Sequence, residues 1–395
     1  MSIKLSQRVQ AVKPSPTLAI TARAAELRAA GKDVIGLGAG EPDFDTPDHI
    51  KEAAIQAIHD GKTKYTPVDG TTELKQAVIE KFRRDNGHEY APEQILVSCG
   101  GKQSFYNLAQ ALLDPGDEVI IPAPYWVSYP DMTILAGGIP VYIRAGAAQQ
   151  FKITPEQLAA AITDKTRLLV LNSPSNPTGM AYTRAELEAL GDVLRQYPNI
   201  LVATDDMYEH ILWSDEPFCN ILMACPDLYD QTMVLNGVSK AYSMTGWRIG
   251  YAGGPADIIK SMKKIQSQST SNPTSISQAA AVAALNGPQD AIGTMLKAFR
   301  ERHDYVVERL NGMKGIECLP TDGTFYVFPN IEGMIETTDG VSNDLEMGEY
   351  LIENAGVAVV PGSAFGLGGH MRISIATGMD ALEKALDRIE KVVNG

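Results

Sequence analysis

The sequence predicts an α/β fold in which a mostly parallel sheet lies between helices, followed by a smaller α/β domain. Short apolar stretches alternate with helical stretches between residues 95 and 235, which is typical of a parallel sheet covered on both faces. After a long helical stretch that ends near Leu310, the pattern changes to mixed strands and helices. A chain of 395 residues is also too long for one small core.

The domain boundaries follow from these changes in pattern. Residues 1–47 are expected to form an N-terminal segment that packs with the small domain. Residues 48–287 form the predicted large domain, and residues 288–395 form the small C-terminal domain. Repeats, low-complexity runs and Pro/Ser-rich linkers do not interrupt the sequence.

The individual elements follow from hydrophobic periodicity. Predicted strands cover residues 95–98, 118–122, 167–171, 200–204 and 232–235, with further strands in TFYVFP, VAVVPG and MRISIA. Predicted helices cover residues 18–30, 47–61, 74–82, 100–113, 158–162, 186–197, 258–265 and 382–393, with an alanine-rich helix and the long helix between the last two.

Each strand of the predicted large domain runs into glycine, polar or aromatic residues. The five ends carry Gly100-Gly101-Lys102, Tyr125-Trp126, the stretch 172–176, Asp205 with Tyr208, and Ser239-Lys240. Because the carboxyl ends of parallel strands share one edge of a sheet, we expect these side chains to meet there. Taken alone, a lysine at such a position is usually an ordinary solvated loop lysine, so the interpretation of Lys240 depends on its neighbours.

Composition excludes several classes of function. The formal net charge is −14 and no run of basic residues is longer than a short pair, so the electrostatic footprint of a nucleic-acid-binding protein is absent. The four cysteines are scattered without metal-ligand spacing, and we predict no metal site. The sequence shows neither a signal-peptide pattern nor a membrane-spanning stretch, so the expected location is the cytoplasm.

The residues at the strand ends suit one cofactor. A glycine-rich helix start at Gly100-Gly101 is an anion site, and Arg248 can add a bidentate charge to the same phosphate. Asp205 can hold a proton on a ring nitrogen, and Lys240 can form an imine with an aldehyde. With Trp126 as a flat stacking surface, this set describes pyridoxal 5′-phosphate, which serves as an electron sink.

Eight motifs occur in the order found in one family: AGEPDFDTP, KYTPVDG, GGKQ, PYWVSYP, NSPSNPTG, DDMYEH, SKAYSMTGWRIGY and MRISIA. With them the chain resembles the fold-type-I aminotransferases, most closely the bacterial aspartate aminotransferase group that includes prephenate aminotransferases. The resemblance covers nearly the whole chain. It implies a seven-stranded type of sheet and a homodimer with shared active sites.

The resemblance also implies the roles of individual residues. Lys240 forms the internal aldimine with the cofactor and then moves the proton during transamination. Asp205 pairs with the pyridinium nitrogen, and Arg372 in MRISIA grips the substrate α-carboxylate next to Gly40. The remaining implied contacts are Asn176 and Tyr208 with the phenolate oxygen, Trp126 with the ring face, Gly101, the backbone of Lys102, Ser239 and Arg248 with the phosphate, and Tyr65 with the phosphate of the neighbouring subunit.

Substrate choice depends on fewer residues. The Lys102 side chain is implied to meet the second carboxylate of aspartate or glutamate, with help from Ser15 or Thr17, and the alternative is that Lys102 only completes the anion site. Two positions depart from the family pattern: Asp206 replaces a glutamate, and Gly237 stands where some relatives carry a phosphate-binding serine.

The expected function is therefore transfer of the amino group of L-aspartate to 2-oxoglutarate by a ping-pong route. Prephenate, aromatic or alanine aminotransferase activity is the alternative, followed by a C–S lyase or decarboxylase that uses the same lysine. A nicotinamide-dependent dehydrogenase built on Gly36, Gly38 and Gly40 is disfavoured, because Pro42 follows where a helix should begin. A DNA-binding regulator of this fold is disfavoured by the acidic charge.

Overall fold

A seven-stranded sheet forms the centre of the protein. The structure is a computed structural model that describes residues 3–14 and 16–394. The strands of this sheet lie in the order β2-β8-β7-β6-β5-β3-β4. Their bounds are β2 Ile95–Ser98, β3 Glu118–Ala123, β4 Ile139–Arg144, β5 Thr166–Asn172, β6 Leu201–Asp205, β7 Thr232–Gly237 and β8 Gly250–Gly253.

All pairings within this sheet are parallel except those of β8, which runs antiparallel to β2 and to β7. The prediction of a mostly parallel sheet between helices is therefore confirmed. Strands β4 and β8 are not predicted from the sequence. Strand β4 lies at the edge of the sheet and contains Pro140, which counts against a strand, and the glycines of β8 hide its β pattern.

The helices cover both faces of the sheet. Leu96 of β2 packs with residues of α5 and α10, whereas its neighbour Val97 packs with residues of α3, α4 and α11, because successive side chains of a strand point to opposite faces. The helices are α1 Gln7–Ala11, α2 Pro16–Ala29, α3 Asp48–His59, α4 Thr72–Lys81, α5 Gly101–Leu112, α6 Ser128–Leu135, α7 Pro155–Ala161, α8 Arg184–Leu194, α9 Ile221–Ala224, α10 Ala256–Ser267, α11 Ser275–Asn286, α12 Asp290–Asn311, α13 Glu332–Thr337, α14 Asp344–Tyr350 and α15 Met379–Asn394.

Two small sheets lie in the C-terminal part. Strands β11, β12 and β9 form an antiparallel sheet in that order, and β1 pairs in parallel with β10. Their bounds are β1 Ile35–Gly36, β9 Tyr326–Val327, β10 Val357–Ala358, β11 Val360–Pro361 and β12 Met371–Ser374. A separate hydrophobic core joins these strands to α12 and α15.

The N-terminal segment contacts both parts of the molecule. Ala24 and Leu27 of α2 pack with Ile352 and Ala358 of the C-terminal part. Helix α1 instead lies against α6, where the backbone N–H of Lys13 donates to Asp131. The domain boundaries at residues 47 and 287 stay predictions. Among the described residues, no helix is long and apolar enough to cross a membrane.

Candidate active site

A cavity of about 450 Å³ opens at the carboxyl ends of the parallel strands, between the large sheet and the C-terminal part. Twelve of the residues predicted to hold cofactor or substrate line it. They are Thr17, Gly40, Gly101, Lys102, Trp126, Asn176, Asp205, Tyr208, Ser239, Lys240, Arg248 and Arg372. The five strand ends thus meet at one place, as expected for a parallel sheet.

One end of the cavity is built to hold an anion. Helix α5 begins at Gly101 without a side-chain cap, so among the described residues no side chain occupies the N–H groups of Gly101 and Lys102, which are suited to bind a ligand. Gly100 has φ +89°, and a Cβ there would collide with the guanidinium of Arg248. Arg248 donates only to the carbonyls of Thr245 (2.8 Å) and Cys99 (3.4 Å) among the described residues. Burial and the nearby Arg248 lower the pKa of Lys102, as expected of cations gathered without a counter-charge.

Close packing of β7 against β8 leaves little room for a side chain at Gly237. It pairs with Gly250 across β7 and β8, and a Cβ at Gly237 would lie 3.0 Å from the carbonyl oxygen of Ile249 and 3.2 Å from Met207. A serine would therefore need the two strands to separate. Ser239, two residues after Gly237, lines the cavity and can offer a hydroxyl to the anion instead.

At the centre of the site, Asp205 ends β6 with its carboxylate facing the cavity. The hydroxyl of Tyr129 donates to Asp205 Oδ2 at 2.5 Å, and the backbone N–H of Met207 donates to Oδ1 at 3.3 Å. Burial raises the pKa of Asp205, and the hydrogen bond from Tyr129 opposes that increase. The carboxylate is thus partly stabilised as an anion and stands ready for a cationic partner.

Asn172 connects two strand ends. Its amide nitrogen donates to the carbonyl of Asp205 (2.9 Å), and its side-chain oxygen accepts from the backbone N–H of Asn176 (2.8 Å). The loop after β5 is therefore fastened to the loop after β6. Asn176 in turn accepts a hydrogen bond from Arg372 at 2.9 Å.

Lys240 lies between the two parts of the molecule. Its ammonium donates to the carbonyl of Gly40 and sits 5.9 Å from the centre of the Tyr208 ring. Burial, and next the positive charge of Arg372, lower the pKa of Lys240 to about 8. A much larger fraction of this amine is neutral near neutral pH than for an exposed lysine, as an imine-forming group requires.

Arg372 is a buried cation, and none of the described carboxylates forms an ion pair with it. Only 2% of its surface is exposed, and it donates to Asn176 and to the carbonyl of Gly38 (2.7 Å). Its Nε has no hydrogen-bond partner within the described part of the chain, and no carboxylate there pairs with it. The guanidinium instead lies 4.3 Å from the centre of the Tyr326 ring. Since a buried unpaired charge is costly, an anionic ligand is the expected partner.

One residue predicted for the site, Tyr65, does not line the cavity of this chain, and a second, Ser15, lies outside the described residues. Tyr65 is 93% exposed, in the loop between α3 and α4.

Two residues of the site were missed by sequence reasoning, Tyr129 and Tyr326, whereas Asn172 lies in the predicted stretch 172–176. Tyr129 lies three residues after Trp126 in PYWVSYP, and this helical spacing places both on one face of the chain. That spacing was the available signal for Tyr129. Tyr326 approaches from a distant strand, and the sequence near it gives no comparable signal.

These residues fit pyridoxal phosphate. The cradle at Gly100 and Gly101 suits its phosphate, and a Cβ at either glycine would fill the space next to Arg248 or Met207. Asp205 suits the protonated ring nitrogen, and the amine of Lys240 suits the aldehyde. The unpaired Arg372 remains for a carboxylate.

The known proteins that this chain resembles are aminotransferases. Residues 32–389 match the family described as aminotransferase class I and II. An aspartate/prephenate aminotransferase from Nitrosomonas europaea is 61% identical over 99% of this chain and 100% of its own length. A protein of the same name from Cereibacter sphaeroides is 56% identical over 99% of both chains.

Solved structures agree. The aspartate aminotransferase from Rhizobium meliloti has a TM-score of 0.96 and 49% identity, covering 100% of this chain and 99% of that chain. The Thermus thermophilus aspartate aminotransferase with maleate has a TM-score of 0.93 and 45% identity, covering 99% and 100%. The chain therefore belongs to the class I and II aminotransferases, which depend on pyridoxal phosphate.

Proposed function

We propose that this aminotransferase moves the amino group of L-aspartate to 2-oxoglutarate. The observation that carries the proposal is the buried guanidinium of Arg372, which has no carboxylate partner among the described residues and lies at the wall of the cavity. Its planar fork is suited to an α-carboxylate. Relatives at 61% and 56% identity carry the name aspartate/prephenate aminotransferase, which supports the choice of substrate.

Lys102 is proposed to bind the second carboxylate of the substrate. Its ammonium lies 5.1 Å from the centre of the Trp126 ring, and both residues line the cavity. A dicarboxylic substrate would bring one negative charge to Arg372 and one to Lys102, and 2-oxoglutarate carries the same pair of charges. Thr17, which lines the cavity, and Ser15 are proposed to assist Lys102.

The cofactor, when bound, supplies the electron sink that makes the Cα–H bond of the substrate acidic. Lys240 is proposed to hold it and to carry the proton between Cα and the cofactor. The other proposed contacts are Asp205 with the ring nitrogen, Asn176 and Tyr208 with the phenolate oxygen, Trp126 with the ring face, Gly101, Lys102, Ser239 and Arg248 with the phosphate, and Gly40 beside the substrate.

A homodimer is part of the proposal. Tyr65 is proposed to reach the phosphate in the neighbouring subunit, and its 93% exposure in the single chain supports this. Ile3, Leu5 and Val9 of the N-terminal segment are also exposed apolar residues that a second subunit would cover. The enzyme is proposed to act in the cytoplasm.

Prephenate is the second candidate substrate. The names of both relatives include it, and it too carries two carboxylates. Arg372 and Lys102 would serve it in the same way, since it is the keto acid that receives the amino group from aspartate or glutamate.

A panel of half-reactions tests the substrate. The pyridoxal form is mixed with L-aspartate, L-glutamate, L-alanine, L-phenylalanine or arogenate, and the visible absorbance of the cofactor is followed. We expect rapid loss of absorbance with aspartate and glutamate, and none in Lys240→Ala with any amino acid. Lys102→Met should slow aspartate about tenfold to a hundredfold and leave alanine unchanged, because only aspartate loses an ion pair. Failure of aspartate and glutamate to react would refute the proposal.

A further inference from the structure

Tyr326 connects the C-terminal sheet to the site. It lies on β9, is fully buried and lines the cavity with its side chain. Neither the motifs in the sequence nor the contacts proposed above give it a role. Its side chain nevertheless touches the two proposed groups that hold the substrate and the cofactor.

The hydroxyl and the ring of Tyr326 have different neighbours. The hydroxyl oxygen lies 3.1 Å from the hydroxyl oxygen of Tyr208. The ring lies under Arg372, whose guanidinium carbon is 4.3 Å from the ring centre. A Cβ on Gly40 would lie 3.2 Å from the Tyr326 hydroxyl, so that hydroxyl also lies close to Gly40. The carbonyl of Gly40 accepts a hydrogen bond from Lys240.

We propose that Tyr326 is a positioning residue that donates its hydroxyl hydrogen to Tyr208 and supports Arg372 on its ring. Through the first contact it strengthens Tyr208 as a donor to the phenolate oxygen of the bound cofactor. Through the second it fixes the guanidinium that binds the α-carboxylate. The inference rests on the proposed roles of Tyr208 and Arg372.

The direction of the hydrogen bond follows from counting donors. A tyrosine hydroxyl has one hydrogen to donate and can also accept. Once Tyr208 donates to the cofactor, it has no hydrogen left for Tyr326, so Tyr326 must be the donor in their contact. A hydroxyl that accepts a hydrogen bond becomes a better donor, because the bonds of a chain polarise one another.

The charges around Tyr326 agree with a donor role. The titratable groups that face it are Arg372, Tyr208 and Glu41, and the Lys240 ammonium lies 5.9 Å from the centre of the Tyr208 ring. Burial raises the pKa of Tyr326, and the positive charge of Arg372 opposes that increase. Tyr326 is therefore a neutral hydroxyl at physiological pH, and the cation on its ring makes it a stronger donor.

A spectroscopic titration of the holoenzyme tests the hydroxyl. Hydrogen bonds stabilise the phenolate, so Tyr326→Phe should raise the pH at which the visible spectrum of the bound cofactor changes, by roughly 0.3 to 1 pH unit. Tyr208→Phe should raise it further. The double variant should match Tyr208→Phe alone, because Tyr326 acts through Tyr208.

Tyr90→Phe is the matched control. The Tyr90 hydroxyl is buried, has no hydrogen-bond partner among the described residues and lies outside the cavity. Its removal should leave the titration unchanged. The phenylalanine at position 326 keeps the ring contacts with Phe325 and Tyr208, so the fold and the cofactor content should be retained.

Binding of succinate, a dicarboxylate without an amino group, tests the contact between the Tyr326 ring and Arg372. Tyr326→Phe should bind succinate within about twofold of the unmodified protein. Tyr326→Leu should bind it about threefold to thirtyfold more weakly, because only leucine removes the cation–π contact at position 326 and leaves Arg372 with the Phe365 ring, 5.0 Å away. An unchanged titration in Tyr326→Phe, additive effects in the double variant, or equal weakening of succinate by both substitutions would overturn the inference. The titration uses no substrate, so a protein that does not react with aspartate would refute only the proposed function.

Discussion

Lys240 lies among groups that disfavour its own charge. Apart from burial, the main contribution is the positive charge of Arg372, followed on the same side by Arg248, whereas Glu41 and Asp205 act in the opposite direction. The resulting pKa of about 8 means that the amine is neutral above that pH and protonated below it. Because only the neutral amine attacks an aldehyde, cofactor binding to the empty protein should depend on this pKa.

We expect the rate at which pyridoxal phosphate becomes attached to cofactor-free protein to rise with pH, with a midpoint near 8. Arg372→Met removes a positive neighbour, so the pKa of Lys240 and the midpoint should both increase. Arg372→Lys keeps a positive charge, so its midpoint should stay nearer to that of the unmodified protein. The appearance of the visible band in stopped-flow mixing measures the rate. A midpoint that falls in Arg372→Met would contradict this account.

The sequence predicted the residues of the site that belong to recognisable motifs. Lys240, Asp205 and Arg248 each follow or adjoin an apolar strand, and the edge of a parallel sheet brings such positions together. The roles of Tyr129 and Tyr326 were not predicted. Each role depends on a contact with a residue far away in the chain; Tyr129 and Asp205, for example, are 76 residues apart. The positions of strand ends in the sequence do not predict which distant side chains will be in contact.

At the scale of elements, strand β8 is the least expected part of the sheet. It is the one antiparallel member of the central sheet, and its sequence, GYAG, has too few apolar side chains for a strand pattern. The packing explains the glycines. A Cβ at Gly250 would overlap the backbone of Gly100 and Gly101, where α5 begins, and a Cβ at Gly253 would lie 2.7 Å from the Tyr90 ring.

Gly250→Ala should therefore destabilise the protein by about 1 to 3 kcal/mol, the usual range for overpacking, and should weaken phosphate binding because the start of α5 must move. Gly246→Ala is the control, since a Cβ there has nothing within 4 Å. Thermal unfolding with and without pyridoxal phosphate measures both effects. Equal melting temperatures and equal cofactor affinity in the two variants would show that the close approach does not shape the anion site.

At the scale of the whole molecule, the position of Tyr65 matters most. It is 93% exposed, while the other residues proposed to hold the phosphate line the cavity of this chain. If Tyr65 serves the neighbouring subunit, a complete site contains Lys240 from one chain and Tyr65 from the other. A homodimer of Lys240→Ala is then inactive, and a homodimer of Tyr65→Ala has two weakened sites.

Mixed dimers of these two variants distinguish the arrangements. A dimer with one subunit of each kind has one doubly damaged site and one intact site, formed by Lys240 of the Tyr65→Ala subunit and Tyr65 of the Lys240→Ala subunit. Random mixing makes half of the dimers mixed, so intact sites should reach about a quarter of the unmodified number. Aminotransferase activity at limiting pyridoxal phosphate, measured after the subunits are unfolded and refolded together, should exceed the sum of the separate variants. If Tyr65 acts within its own chain, no intact site can form and mixing gains nothing.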